Sequence, residues 1–425
     1  MIIAQSERYG SLAIAVIAFL LPPLTVFAPL GTAPLLVTAA VAALALTGWR
    51  LREAFVTLAP LAALLGALGI WATLSSLWSI IPAHSVFEGL RFLGESACGL
   101  TLVAASLSIS GDDRRRIARA LAWGIALALI FLAIERFGGA PIERWWHSAA
   151  ADQPVFLGRY DRGVTVLALL IWPMAIAEIG RAARAALIAL SVVATALLIS
   201  TTALLAALIG LGVFAVARLA PRVIAGAMIA GIIALGIAIP IATPSDSTVL
   251  ALHQEAPWIK WSGIHRLLIW RFGADRVAER PLLGWGMDSS RAMPGGKTDF
   301  NDLLPTLHYP GGAEALPLHP HDATLQWQLE LGIPGLFLGL AVVTWLIYRI
   351  GWRRDRPGAE RAAALALAAA ALVIGLLSFG IWQAWWESTL WLAASLLVAN
   401  SAGATLPQSA PRQQRDQAGT QRIGS

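Results

Sequence analysis

The stretch His319-Pro320-His321-Asp322-Ala323-Thr324-Leu325-Gln326-Trp327-Gln328-Leu329-Glu330-Leu331-Gly332-Ile333-Pro334-Gly335 concentrates the side chains most able to do chemistry. An imidazole titrating near neutrality can take a proton from a hydroxyl. His321 stands where a polar loop enters an apolar helix, with Leu325 one turn below it and Glu330 deeper. A carboxylate at that depth is costly and normally serves a purpose. The plainer alternative is that His321 caps the helix and Glu330 pairs with an interior arginine. Metal chemistry is not expected. The chain has no Asp-X-Asp pair, and His253, His265, His308 and His319 lack ligand spacing. His319 and His321 would diverge if helical.

The surroundings of this stretch are those of a membrane protein. Of 425 residues, 57% are hydrophobic and only 13% charged, too little charge for a soluble chain of that length. Leu- and Ala-rich runs recur, each long enough or nearly so to cross roughly 30 Å of hydrocarbon as helix. The runs do not alternate polar and apolar residues, which excludes a membrane β-barrel. The expected fold is all-α, a polytopic membrane helix bundle of about twelve spans with a helical periplasmic loop domain. The spans fall at 12–28, 33–46, 56–78, 89–108, 117–134, 164–179, 186–200, 203–217, 223–242, 323–348, 362–379 and 388–398. The first has Pro22 and Pro23 inside it and no cleavage pattern after it, so it reads as a span and not a signal peptide. The seventh and eighth meet at Ser200-Thr201-Thr202 with almost no loop, which leaves their division ambiguous.

Charge placement orients the bundle. With the N-terminus inside, Arg50 and Arg52, Arg114–Arg116, Arg181 and Arg184, Arg218 and Arg222, and the arginines of 349–361 all fall in cytoplasmic loops. The short outer loops carry no Lys or Arg, as the positive-inside rule requires. The formal charge of +6 therefore reports topology, and a nucleic-acid partner is not expected. Tryptophans near span ends (Trp49, Trp78, Trp352, Trp382, Trp385, Trp386) read as interfacial anchors. Cys98, alone of its kind, lies within a span and rules out an intrachain disulfide. The organisation is then 1–242 with nine spans and an outer loop near 135–163, 243–321 as a large periplasmic loop, 322–400 with three spans, and 401–425 as a disordered cytoplasmic tail. Within the large loop, 264–279 has helical spacing, with an Arg271/Asp275 pair on one side. Pro281 ends it, and a turn-rich Leu282-Leu283-Gly284-Trp285-Gly286 follows.

These segments resemble the signature of the O-antigen ligase and O-antigen polymerase superfamily. In that pattern a His-Asn pair precedes Leu, Glu, Gly and Gly at the spacing that starts here from His321, with Asp322 in the usual Asn position. Ser262-Gly263-Ile264-His265-Arg266 through Trp270, ending in Arg280-Pro281-Leu282-Leu283-Gly284-Trp285-Gly286, resembles the family's Arg-and-Trp helix and its turn. Asp161-Arg162-Gly163-Val164 resembles the upstream Arg-Gly element. The resemblance implies a glycosyltransferase of the bacterial inner membrane, with its site on the periplasmic side. Such an enzyme moves a glycan from a polyprenyl (undecaprenyl) diphosphate carrier to an acceptor hydroxyl, such as that of lipid A-core. His321 would be the base. Arg162 and Arg266, with Arg159 and Arg91 in reserve, would hold the diphosphate, since Arg forks match phosphate oxygens. Asp322, Glu330 and Trp270 would complete substrate binding. No cofactor and no metal are implied. A polymerase with a carrier-linked glycan acceptor is the alternative. A transporter path along Arg91, Glu95 and Glu330 is disfavoured by the absence of internal repeats. A reporter fused after Trp285 should read as extracytoplasmic and one after Arg354 as cytoplasmic; the opposite pair of signals would overturn the span assignment.

Overall fold

The computed structural model describes residues 2–47, 51–109, 111–146, 157–198, 200–256, 258–307 and 312–402. The expectations for Trp49, Arg50, His308 and the tail from 403 to 425 lie outside these. The described residues form α1 (Ile2–Phe27), α2 (Thr32–Thr47), α3 (Leu51–Leu74), α4 (Pro82–Ser106), α5 (Gly111–Phe137) and α6 (Pro141–Trp146). They continue with α7 (Asp161–Ala175), α8 (Arg181–Leu197), α9 (Thr201–Ala217), α10 (Pro221–Ala238) and α11 (Asp246–Glu255). The last five are α12 (Trp261–Glu279), α13 (Phe300–Leu303), α14 (Ala323–Trp352), α15 (Gly358–Leu377) and α16 (Ala384–Asn400). The expected all-α fold is met. Strand-type pairing among the described residues is limited to one isolated bridge, Asp299 with Glu314.

Each expected span falls on a helix, and the ambiguous stretch resolves into α8 and α9, with the Ser200 hydroxyl between them donating to the Asp161 carboxylate. Among the described residues, seven segments are long and apolar enough to cross a membrane by length and composition. The others fall short for identifiable reasons. Helix α7 has 15 residues, and α8, α9 and α16 have 17 each. Helix α4 is long enough but carries Glu88, Arg91 and Glu95. Large apolar side chains cover the outside (Val56 is 71% and Phe337 67% exposed), as suits a surface solvated by lipid tails. Helices approach closely where glycine removes a side chain. A Cβ on Gly124 of α5 would lie 2.5 Å from the Phe19 carbonyl of α1.

The element that organises the site is a break in α14. Gly332 has φ 66° and ψ −165°, so the helix is interrupted where its hydrogen-bonding groups have no water to turn to. The 281–286 turn fills the gap. Trp285 N–H donates to the Leu329 carbonyl (3.0 Å), Gly286 N–H to that of Glu330 (2.7 Å), and Ile333 N–H to that of Pro281 (3.0 Å). Trp71 Nε1 donates to the Leu331 carbonyl at 2.9 Å. The chains pass so closely that a Cβ on Gly332 would sit 2.2 Å from the Leu282 carbonyl oxygen. Gly332→Ala should therefore cost about 3 kcal/mol or more, strain and steric clash together. Thermal unfolding in detergent checks this, and an unchanged midpoint would mean the break is not required.

Candidate functional site

Helix α12 and the segment that joins α15 to α16 hold the His319–Asp322 turn from two sides. From α12, Trp270 Nε1 donates to the Pro320 carbonyl at 3.0 Å. Arg266 Nε donates to the Leu377 carbonyl at 2.7 Å, and Nη1 to that of Ser262 at 2.9 Å. The next carbonyl, Ser378, accepts from His321 Nδ1. A carbonyl cannot donate, so Nδ1 carries the proton and Nε2 keeps its lone pair, the tautomer a general base needs. His321 itself lies at φ 57°, a left-handed conformation that non-glycine residues adopt at a cost. Its backbone N–H donates to His319 Nδ1 at 3.2 Å, and the two rings meet edge to face with centroids 4.3 Å apart. The turn is not helical, which is why the divergence anticipated for a helix does not occur. His265, by contrast, turns to the Glu314 carbonyl at 3.0 Å.

Burial sets the electrostatics of this pair. The His321 imidazole is pushed down to about 4, first by desolvation and then by the Arg266 charge and His265, against the opposing effect of the Ser378 carbonyl. His319 falls to about 3, through desolvation and then His321, Arg291 and Arg266. Both rings are neutral at physiological pH.

The other expected site residues divide. Asp322 does not bond the His321 ring; it caps α14, its Oδ1 accepting from Leu325 N–H (2.8 Å) and the Thr324 hydroxyl (2.7 Å). Its carboxyl is raised to about 6, chiefly by burial, with those bonds pulling the other way. Glu330, expected to bind substrate or to pair with an arginine, forms no ion pair with an arginine among the described residues. It is 0% exposed. One oxygen accepts from Trp382 Nε1 (2.6 Å) and Asp288 N–H (2.8 Å). The other accepts from the Ser290 hydroxyl (2.5 Å) and Gln326 Nε2 (3.1 Å). Its use is to bind the 286–290 turn and the 380s segment to α14. Arg162 stacks its guanidinium 5.3 Å from the Trp385 ring, whose neighbour Phe379 lies at 4.6 Å and follows Ser378 directly. Arg159 is exposed and paired with Glu143, away from the histidines' partners. Arg91 is surrounded by carboxylates, Glu88 at 2.6 Å, Glu95 at 2.8 Å and Glu387 at 3.7 Å, and is not a free cation for phosphate.

The sequence reading missed the 377–385 segment, which touches nearly everything above. Its tryptophans are a correction as well. Trp382, Trp385 and Trp386 are buried, not interfacial anchors, because they pack under Arg162, Glu330 and the end of α15. The available signal was an outer loop dense in aromatic residues and free of Lys and Arg. The fold also gathers His84, Glu88 and Asp288, whose ligand atoms lie within 4.8 Å of one another. His84 and Glu88 stand four apart on α4, but nothing in the sequence ties them to Asp288. A cation could be held there only in competition with Arg291, which binds the same Asp288 oxygen at 2.5 Å. Beside it lies a cavity of about 220 Å³, lined by Glu88, Arg91, Asp288, Arg291, His319 and Trp382 among others.

A multi-helix membrane protein with a neutral histidine pair braced by an arginine helix is the class that this geometry defines. Residues 186–340 match the family model described as O-antigen ligase. The chain is also similar to a protein of Rickettsia conorii named "Putative polysaccharide ligase", 29% identical over 336 residues, 76% of this chain and 75% of that one. A protein of the same name in Rickettsia felis is 28% identical over 331 residues, 76% of each chain. Together these matches support membership of the O-antigen ligase superfamily, in agreement with the resemblance drawn from the sequence motifs.

The cap yields a test. A carboxyl whose native pKa exceeds its unfolded value stabilises the fold while protonated, and that contribution is lost as pH rises from about 4 through about 6. Asp322→Asn keeps a capping oxygen, so it should be at least as stable as the wild type at pH 8, with the margin shrinking toward pH 4. Asp322→Ala should lose about 1 kcal/mol of capping. Detergent melting curves across that range decide it, and a wild type that gains stability over Asn as pH rises would contradict the assignment.

Proposed function

We propose that the chain is a membrane glycosyltransferase of the polysaccharide ligase type, working on the periplasmic side of the bacterial inner membrane with about twelve spans. The donor is a glycan on a polyprenyl diphosphate carrier, and the acceptor a glycan hydroxyl such as that of lipid A-core. The name carried by the Rickettsia relatives favours ligation over polymerisation. The observation that carries the reading is the Ser378 carbonyl on His321 Nδ1, which leaves Nε2 as a fixed proton acceptor on a turn braced by Arg266 and Trp270.

In this mechanism His321 Nε2 takes the proton of the acceptor hydroxyl as its oxygen attacks the anomeric carbon in line. The bond to the carrier diphosphate breaks, and the anomeric configuration inverts. Burial keeps the base neutral without needing the Asp322 anion beside it. Arg266 and Arg162, both set against the 377–385 segment, supply positive charge to the departing diphosphate. Neither step requires a metal ion.

The test is transfer by the purified protein from undecaprenyl-diphosphate-linked glycan, offered lipid A-core and a second carrier-linked glycan separately. His321→Ala should lose about 10²–10⁴ in rate while still binding donor. Arg266→Lys should lose most activity despite keeping its charge, because one ammonium cannot replace the fork. Since only neutral His321 accepts a proton, the rate should be flat above about pH 6 and fall as pH drops through about 4. Wild-type turnover by His321→Ala would remove the residue from this role, and an inflection at an ordinary imidazole value near 6.5 would mean that burial does not depress its pKa.

A further inference from the structure

The cavity beside the histidines has the wrong charge balance for a diphosphate. Its two cations are already neutralised, Arg91 by Glu88, Glu95 and Glu387, and Arg291 by Asp288. What remains facing it is uncharged, Gln326, Gln383 and His319, with Leu318, Ala384 and the Trp382 ring as an apolar wall. That is a lining for a hydroxylated, neutral ligand, and 220 Å³ gives room for a single sugar ring. The tautomer of His319 follows from its neighbour. Because Nδ1 accepts the His321 backbone N–H, the neutral ring must carry its proton on Nε2. No partner among the described residues reaches that Nε2. The ring is fixed in place, since a Cβ on Gly380 would lie 2.8 Å from its Cγ and the His321 ring closes the other side. The two histidines thus offer opposite functions at their Nε2 atoms, an acceptor on His321 and a donor on His319.

We propose that this cavity receives the sugar ring bearing the acceptor's attacking hydroxyl, and that His319 donates its Nε2–H to that ring, aligning the hydroxyl with the base. The inference rests on the glycosyl-transfer reading above and adds the acceptor subsite to it. His319 is a binding residue here, and its Nδ1 also braces the turn, so the two contributions must be separated.

Two substitutions separate them. His319→Asn keeps an oxygen near the Nδ1 position to accept the His321 N–H but places nothing at Nε2. His319→Gln carries its amide N–H out to the Nε2 position. With undecaprenyl-diphosphate-linked glycan as donor and lipid A-core as varied acceptor, His319→Asn should raise the acceptor KM about tenfold, the loss of one buried hydrogen bond. Donor KM and melting temperature should stay unchanged, and His319→Gln should recover part of the acceptor KM. Ala384→Leu, which narrows the cavity without touching either histidine, should raise the acceptor KM alone. An acceptor KM within twofold of wild type in His319→Asn or Ala384→Leu, or equal losses for donor and acceptor, would overturn the subsite. Failure of the underlying reading shows elsewhere, as wild-type turnover by His321→Ala, so the two failures are distinguishable.

Discussion

The burial of Glu330 is the constraint on which the rest of the site depends. A carboxylate with no access to water must have its oxygens filled by donors, because an uncompensated buried charge or acceptor costs several kcal/mol. Here the donors come from three separate stretches, the turn at Asp288 and Ser290, Gln326 within α14, and Trp382 after α15. Satisfying one side chain therefore fixes where the large loop and the 380s segment sit against α14. The break at Gly332 acts in the same direction. The carbonyls of Leu329, Glu330 and Leu331 take donors from Trp285, Gly286 and Trp71, so the helix interruption and the loop turn specify each other.

That frame places His321, the base in the proposed mechanism, without using a carboxylate to orient it. In many sites an acid holds the histidine tautomer and raises its pKa. Here a backbone carbonyl selects the tautomer, and burial with the nearby Arg266 charge lowers the pKa. A base weakened in this way stays unprotonated over a wide pH range, at the expense of driving force for proton transfer. The left-handed backbone of His321 is held by contacts on every side: its N–H on His319, its ring on Ser378, and the preceding carbonyl on Trp270.

The arginines show how position overrides residue type. Four were candidates for phosphate on sequence grounds. Three carboxylates enclose Arg91, and the half-buried Glu143 holds Arg159. Arg162 instead meets an aromatic face, and Arg266 donates to the backbone carbonyls of Leu377 and Ser262. An arginine bonded to neutral groups keeps its field for a bound anion, whereas one already in an ion pair does not.

By itself the sequence determined the helices, because runs of apolar residues in water-free surroundings can satisfy their backbones only as helix. The helices on which the expected spans fall, α12 and the turn after Pro281 were all legible, as was His321 at the mouth of α14. What neighbours in sequence could not show is what lies across the bundle. The 377–385 segment passed for a short outer loop with anchoring tryptophans, yet its residues touch Arg266, His321, Gln326 and Glu330, which lie 52 to 111 positions away. The bracing use of Glu330 and the approach of Glu387 to Arg91 were likewise decided by partners far away in sequence, whereas the capping of α14 by Asp322 and the pairing of Arg91 with Glu88 and Glu95 are local. Local pattern reports how each segment satisfies its own backbone; the protonation and availability of a buried side chain depend on the groups that folding brings against it.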